Sequence, residues 1–173
     1  MSKQQEMIEQ LQSRSNARCL EAIDALYGVQ SDEILSALLR IMMSDETTFW
    51  TNLDKDRHPK VEAYKAAVEI ATPEALQLAL VDRKFPKVRS GAAFLLGKVA
   101  KADNSDAVQS LRNALQDPDP QVPYQALRSL GRLGALDIQE VLPFFEVESS
   151  SIQFYALQSL NTIEGPQVNQ VLM

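Results

Sequence analysis

The sequence predicts an all-α fold, in which about five helical hairpins stack into a right-handed α-solenoid. The composition favours helix over strand, because the 173 residues include only six glycines and eight prolines while Ala, Leu, Gln and Ser are abundant. Three segments also repeat one apolar pattern without gaps, and each of them follows another apolar helical stretch. Hairpins that each bury one face against the next form a solenoid in which every repeat contacts only its neighbours.

The repeated pattern predicts the second helix of each hairpin. Gap-free copies start at Lys87, Gln121 and Ser151, about 30–34 residues apart. Each copy has a β-branched residue, an alanine four positions later, and apolar residues five, eight and eleven positions later, which lie on one face of a helix. In the middle copy these residues are Val122, Ala126, Leu127, Leu130 and Leu133. A copy from Lys60, displaced by one residue at its alanines, and a fainter copy from Asn16 complete the five.

The first helix of each hairpin is predicted from apolar stretches that precede these copies. They start at Glu33, Pro73, Asp106 and Asp137. Prolines stand where helices begin, and glycines stand where helices end, as at Gly28 and Gly134. We therefore expect a single domain over 1–173. Its approximate repeats are 4–28, 32–71, 73–101, 105–134 and 137–164, with 166–173 as a capping helix.

An insertion at 44–58 interrupts the period of the second repeat. Its length is about fifteen residues, where two to five suffice in the other repeats, and it holds the chain's only tryptophan, Trp50, and its only histidine, His58. Two interpretations remain open. Phe49, Trp50 and Leu53 could form an extra turn of helix that caps the apolar stack, or the loop could contact a partner. For His58, which precedes Pro59, we expect a role as a helix N-cap or a solvent-exposed side chain.

The tract LQDPDPQVPYQALRSLGRLG from Leu115 resembles the HEAT repeat, particularly the short variety named after phycobilisome lyases. In that variety the second helix opens with Val-Arg, which Val88 and Arg89 preserve, and Asp82 and Asp117 occupy the turn. The resemblance covers nearly all of residues 30–165 and implies an α-solenoid with a ladder of Asp–Arg pairs. This ladder is expected to be incomplete, because Pro123 and Gln153 replace the arginine in the fourth and fifth repeats.

The residues needed for common catalytic and metal sites are scarce. A single cysteine, Cys19, excludes an internal disulfide, and its spacing with Ile23 and Leu26 predicts a buried thiol. No glycine-rich phosphate-binding motif is present, and the paired acidic residues do not follow the order of a calcium-binding loop. We therefore predict no catalytic residues, no metal site and no cofactor.

Aromatic and cationic residues occupy the predicted outward positions of the second helices, which line the concave surface in proteins that this one resembles. These positions lie two, six and ten residues after the β-branched residue. They hold Ser90, Phe94 and Lys98, then Tyr124, Arg128 and Arg132, then Phe154, Gln158 and Thr162. Such residues are enriched where proteins bind proteins. The predicted partner-binding set comprises seven of these residues, all but Ser90 and Thr162, together with Trp50, although Phe94 and Phe154 could instead pack against neighbouring repeats.

The distribution of charge narrows the kinds of partner. The net charge is -6, yet residues 57–101 carry nine basic and four acidic residues. The acidic net charge argues against nucleic acid as a partner, because phosphate contacts need a basic surface. No apolar run approaches the length of a membrane span and no secretory signal precedes the repeats, so we expect a cytoplasmic protein. The prediction is a non-catalytic scaffold that binds another protein in a hetero-complex, and an acidic segment is one candidate for the bound part of that protein. The resemblance implies an alternative, a bilin-handling subunit of a phycobilin lyase with a phycobiliprotein as its partner.

Overall fold

A computed structural model describes residues 3–13, 15–44, 57–147 and 150–160 of the chain. Within these ranges all regular structure is helical. The α-helices are α1 (Lys3–Leu11), α2 (Asn16–Leu26), α3 (Asp32–Met42), α4 (Pro59–Ile70), α5 (Pro73–Leu80), α6 (Pro86–Val99), α7 (Ser105–Ala114), α8 (Gln121–Arg132), α9 (Ile138–Val141) and α10 (Ser150–Leu160). A 3-10 helix, Leu142–Phe145, follows α9. The predicted all-α fold is confirmed.

Consecutive helices pair as hairpins, and the hairpins stack in two layers. Helix α1 packs on α2, α3 on α4, α5 on α6 and α7 on α8. The odd-numbered helices form one layer through the contacts of α1 with α3 and of α5 with α7. The even-numbered helices form the second layer, in which α6 packs closely on α8 and α8 packs on α10. The predicted capping helix and residues 45–56 of the insertion, with Trp50, lie outside the described residues.

The predicted apolar face forms the core. Val122, Ala126, Leu127 and Leu130 of α8 are all at most 1% exposed. Cys19 is buried with Ile23 and Leu26, as the spacing predicts. The exception is Leu157 of α10, which is 50% exposed although it holds the position of Leu127. Leu127 is buried where α8 packs on α10, and no further second-layer helix follows α10 within the described residues.

The helices begin and end where the cap, proline and glycine residues predict. His58 caps α4, since its Nδ1 accepts a hydrogen bond from the backbone N–H of Lys60 at 3.2 Å. Gly28 and Gly134 end α2 and α8 with φ of 76° and 66°, in the left-handed region where a side chain would be strained. The first helix of the last hairpin is shorter than its apolar pattern suggests. It changes from α to 3-10 at Leu142, and the following residue is Pro143, which cannot donate a backbone hydrogen bond.

The Asp–Arg ladder that the resemblance implies is present at Arg89. Its Nε and Nη2 donate to the carboxylate of Asp117 at 2.6 and 2.9 Å, and its Nη1 donates to the carbonyl oxygen of Asp82 at 2.9 Å. At the equivalent position of the last repeat, the amide of Gln153 donates to the carbonyl oxygens of Phe145 and Val147. Gln153 therefore retains the contact with the preceding turn and lacks the ion pair.

Small residues bring α6 unusually close to two neighbours. A methyl group at Gly97 would come within 2.7 Å of the Cα of Ser129, and closer still to its Cβ and Oγ. The Ser129 hydroxyl also donates to the carbonyl oxygen of Ala93 at 2.7 Å. On another side, a methyl group at Gly91 would lie 3.1 Å from two atoms of Leu39 in α3. Helix α6 is therefore seated tightly on both α8 and α3.

Helices α4 and α6 do not pack closely along their backbones, in contrast to α6 and α8. The buried face of α4 comprises Pro59, Ala63, Ala66, Ala67 and Ile70. Aligning this face with that of α6 places Tyr64 and Val68 where α6 has Ala93 and Gly97. The larger side chains keep the two helices apart, because close approach requires small residues at the contact. A gap results in the second layer, with aromatic side chains on both sides.

Candidate functional site

The second layer carries a depression of about 250 Å³ between α6 and α8, lined by Phe94, Lys98, Arg128, Ser129 and Arg132. We call this the Phe94 depression. Four of its five lining residues belong to the set predicted from the sequence to bind a partner. They come together because α6 and α8 are adjacent and parallel repeats of the same pattern, so equivalent positions of the two helices lie side by side.

The Phe94 ring is half-buried and supports two cations. The Lys98 ammonium lies 5.1 Å from the centre of this ring, and the Arg128 guanidinium carbon lies 5.7 Å from it. On the side of the gap, Tyr64 of α4 packs against Phe94 with ring centres 6.2 Å apart and an interplanar angle of 52°. Lys98 also lies 5.9 Å from the Tyr64 ring. Cation–π attraction of this kind favours a defined position for each charge.

Within the described part of the chain, Lys98, Arg128 and Arg132 have no carboxylate within 4.0 Å, whereas Arg57, Lys65, Arg89 and Arg112 each form an ion pair. The difference follows from the sequence. Helices α6, α8 and α10 contain no Asp or Glu, although the chain has 23 acidic residues. The cations of the Phe94 depression therefore face a surface without local counter-charges, in a protein whose net charge is -6.

Other predicted residues that the structure describes lie on the same layer outside the depression, while Thr162 is not among the described residues. Tyr124 of α8 is half-buried, while Phe154 and Gln158 of α10 are exposed, Phe154 at 54%. Ser90 does not point away from the core as predicted, since it is 1% exposed and its hydroxyl donates to the carbonyl oxygen of Gln121 at 3.4 Å. The prediction for Ser90 is wrong because α6 lies against the start of α8 and covers this position.

Two residues of the site, Tyr64 and Ser129, are absent from the predicted set. Tyr64 is missed because taking Val61 as the first core residue sets α4 two residues out of register. With the buried Pro59 as the first core residue, Tyr64 holds the position of Ala93, which the rule for outward residues does not include. Ser129 faces α6 and is 3% exposed, a position that the rule for outward residues does not include.

Another cavity, of about 310 Å³, lies where α1, α2, α3 and the start of α6 meet, with Cys19 in its lining. Burial raises the pKa of the Cys19 thiol to about 11, and its Sγ donates to the carbonyl oxygen of Leu11 at 3.6 Å. Such a thiol is protonated at neutral pH and unreactive. No group of three metal-ligating side chains occurs among the described residues, and none of the described helices combines the length and apolar character of a membrane span.

Known proteins share this architecture. The family model described as HEAT repeats matches residues 73–147. Among solved structures, the complex of CpcE and CpcF of phycocyanin lyase from Nostoc sp. PCC7120 is similar with 23% identity and a TM-score of 0.51, covering 99% of this chain and 69% of that chain. A designed armadillo repeat protein in complex with the peptide (KR)4 has 16% identity and a TM-score of 0.46, covering 99% and 87% of the two chains. An engineered protein has 16% identity and a TM-score of 0.42, covering 94% and 79%. No curated protein sequence matches the chain.

The family match spans the hairpins α5–α6 and α7–α8 and the first helical segment of the next hairpin, and it includes the Phe94 depression. The similarity to the phycocyanin lyase complex extends the same fold over almost the whole chain. Residues 73–147 thus match the HEAT repeat family, and the described residues as a whole have the fold of an α-helical repeat protein.

Proposed function

We propose that this protein is a non-catalytic interaction scaffold, which binds an acidic segment of a partner protein on the second helix layer. The observation that carries the proposal is the cluster of Lys98, Arg128 and Arg132, which has no carboxylate partner among the described residues and lines one depression beside an aromatic ring. Cations without an intramolecular carboxylate partner can pair with an external anion, which favours rapid and selective association with an acidic surface.

The aromatic ring supports the proposal because it reduces the freedom of two of the three cations before binding. Long cationic side chains lose rotamer entropy when a partner immobilises them, at a cost of about 0.5–1.5 kcal/mol each. The contacts of Lys98 and Arg128 with Phe94 already restrict these side chains in the free protein, so less rotamer entropy is lost on binding. Arginine and aromatic residues with these properties are frequent energetic centres of protein interfaces.

The similarity to a phycocyanin lyase complex suggests a second candidate, a bilin-handling subunit. Arg128, Arg132 and Lys98 would then bind the propionates of an open-chain tetrapyrrole, and the aromatic side chains would contact its rings. The size of the Phe94 depression favours the scaffold, since about 250 Å³ is below the range of about 300–1,000 Å³ that encloses small-molecule ligands.

A capture experiment with matched variants tests the proposal. The wild-type protein, Arg128→Glu with Arg132→Glu, and Arg18→Glu with Arg83→Glu are immobilised and exposed to lysate of the source organism. The control pair changes the charge by the same amount, at exposed arginines for which no ion pair is found within the described part of the chain. We expect a partner that is retained by the wild type and the control and lost by the first variant.

Two results would contradict the scaffold proposal. Equal retention of every captured protein by all three forms would place the binding surface elsewhere. A retained fraction with the visible absorption of a bilin, lost in Arg128→Glu with Arg132→Glu, would favour the bilin-handling candidate.

A further inference from the structure

We infer that the Phe94 depression recognises one phosphorylated side chain, such as phosphoserine, within the acidic segment of the partner. This inference rests on the proposed function and specifies the chemistry of its central contact. The evidence is that three cations line a single small volume, together with the absence of any acidic residue from α6 and α8, the two helices that line it.

The arrangement of the charges distinguishes one dianion from a row of carboxylates. A series of partner carboxylates would be matched by cations spread along the solenoid, one per repeat. Here the cations of two repeats converge, because Lys98 lies in the last turn of α6 and Arg128 and Arg132 lie on one face of α8. A phosphoryl group carries a charge of about -1.5 to -2 at pH 7 and three acceptor oxygens, which suits several cations at one point.

The residue types of the three cations also favour a phosphoryl group as the ligand. Two of the three are arginines, and guanidinium groups bind phosphate through paired, parallel hydrogen bonds, whereas lysine acts as a point charge. Arg132 also lies in the last turn of α8, where the helix dipole favours a cation and so supports a dense positive cluster. The volume of about 250 Å³ accommodates one modified side chain.

Phe94, which lines the depression, also contacts Tyr64 across the gap between α4 and α6. On α4, Val61 and Val68 are 49% and 38% exposed. A partner segment can therefore place an apolar side chain in the gap and the phosphorylated residue on the cations. This combination would select a phosphorylated protein segment over free phosphate.

Nuclear magnetic resonance of the full-length protein provides the test, with the arginine Nε–Hε signals of Arg128 and Arg132 as reporters. Three peptides of Ala and Glu are titrated, identical except for a central phosphoserine, glutamate or serine. We expect the phosphoserine peptide to bind at least about tenfold more tightly than the glutamate peptide and to shift both signals. A ten-residue thymidine oligonucleotide serves as a nucleic-acid probe.

A conservative double variant distinguishes the effect of positive charge from the effect of guanidinium geometry. Arg128→Lys with Arg132→Lys preserves the positive charge but removes the paired hydrogen bonds, so we expect the preference for phosphoserine over glutamate to fall to less than about threefold. Arg18→Lys with Arg83→Lys is the control and should leave that preference unchanged.

Each alternative result overturns the inference. Equal affinity of the phosphoserine and glutamate peptides would show recognition of carboxylates and leave the proposed scaffold function intact. Tighter binding of the oligonucleotide would indicate nucleic acid as the ligand. An unchanged phosphoserine preference in Arg128→Lys with Arg132→Lys would show that the guanidinium geometry is not used.

Discussion

Substitution of Gly97 by alanine tests the close approach of α6 and α8, on which the assembly of the Phe94 depression depends. A methyl group there would lie within 2.7 Å of the Cα of Ser129. Ordinary contact between carbon atoms requires about 3.5–4 Å, so the two helices would have to separate by about 1 Å. Overpacking of this kind costs about 1–3 kcal/mol.

A second cost comes from the hydroxyl of Ser129, which donates to the carbonyl oxygen of Ala93 at 2.7 Å in a buried setting. Separating the helices would weaken this hydrogen bond, whose net contribution is about 0.5–1.5 kcal/mol. The opposing effect is the greater helix propensity of alanine, about 1 kcal/mol. We therefore expect Gly97→Ala to lower the free energy of unfolding by about 1–3 kcal/mol.

Urea unfolding followed by far-ultraviolet circular dichroism measures this change. Gly91→Ala is the matched control on the same helix, since its methyl group would meet atoms of Leu39 and Met43 at 3.1–3.2 Å, mostly side-chain atoms that can adjust. We expect a change of less than about 1 kcal/mol for the control. A Gly97→Ala variant as stable as the wild type, or more stable, would refute the close packing of α6 on α8, because helix propensity alone predicts stabilisation.

Three further predictions follow from other parts of the molecule. Burial raises the pKa of Asp117, but hydrogen bonds from Arg89 and the Asp119 N–H outweigh this effect and hold the pKa below its usual value. Asp117→Asn should therefore lower the free energy of unfolding at pH 7 by about 3 kcal/mol. Urea titrations should show this difference shrinking below about pH 4, because the stability that comes from a depressed carboxyl pKa is lost as the pH falls through that pKa. Cys19, with its pKa raised to about 11, should resist a thiol reagent such as dithionitrobenzoate at pH 8 until urea unfolds the chain; rapid reaction of the folded protein would contradict its burial. Phe94→Leu keeps an apolar side chain but removes two cation–π contacts of about 0.5–1 kcal/mol each, so calorimetry should show up to about five- to thirtyfold weaker binding of the captured partner, and unchanged affinity would exclude a role for the ring.

The sequence was sufficient to predict the helices and the core because both depend on local spacing. The apolar period placed Val122, Ala126 and Leu130 on one buried face, and the single cysteine was correctly assigned to that environment. Proline and glycine positions gave the helix ends for chemical reasons that act within a few residues. The four predicted residues of the Phe94 depression were accessible to the same reasoning, since equivalent positions of adjacent repeats lie side by side.

Features that depend on the distance between helices could not be predicted in this way. Ser90 has the spacing of an outward residue, but the close seating of α6 on α8 buries it. The gap beside Tyr64 depends on the absence of small residues from one face of α4, and this face is identified only when Pro59, two residues before Val61, is taken as the first core residue. Residues at equal positions therefore have different exposure, because neighbouring repeats are not equally spaced.

The most direct test of the proposed binding surface is zero-length cross-linking of the protein to its captured partner with a carbodiimide, which joins lysine amines to carboxylates in contact. Mass spectrometry then identifies the linked residues. Binding at the Phe94 depression predicts a cross-link from Lys98 to an acidic residue of the partner, and its loss in Arg128→Glu with Arg132→Glu. Cross-links confined to lysines away from this layer, such as Lys84 in the turn between α5 and α6, would contradict the proposed surface.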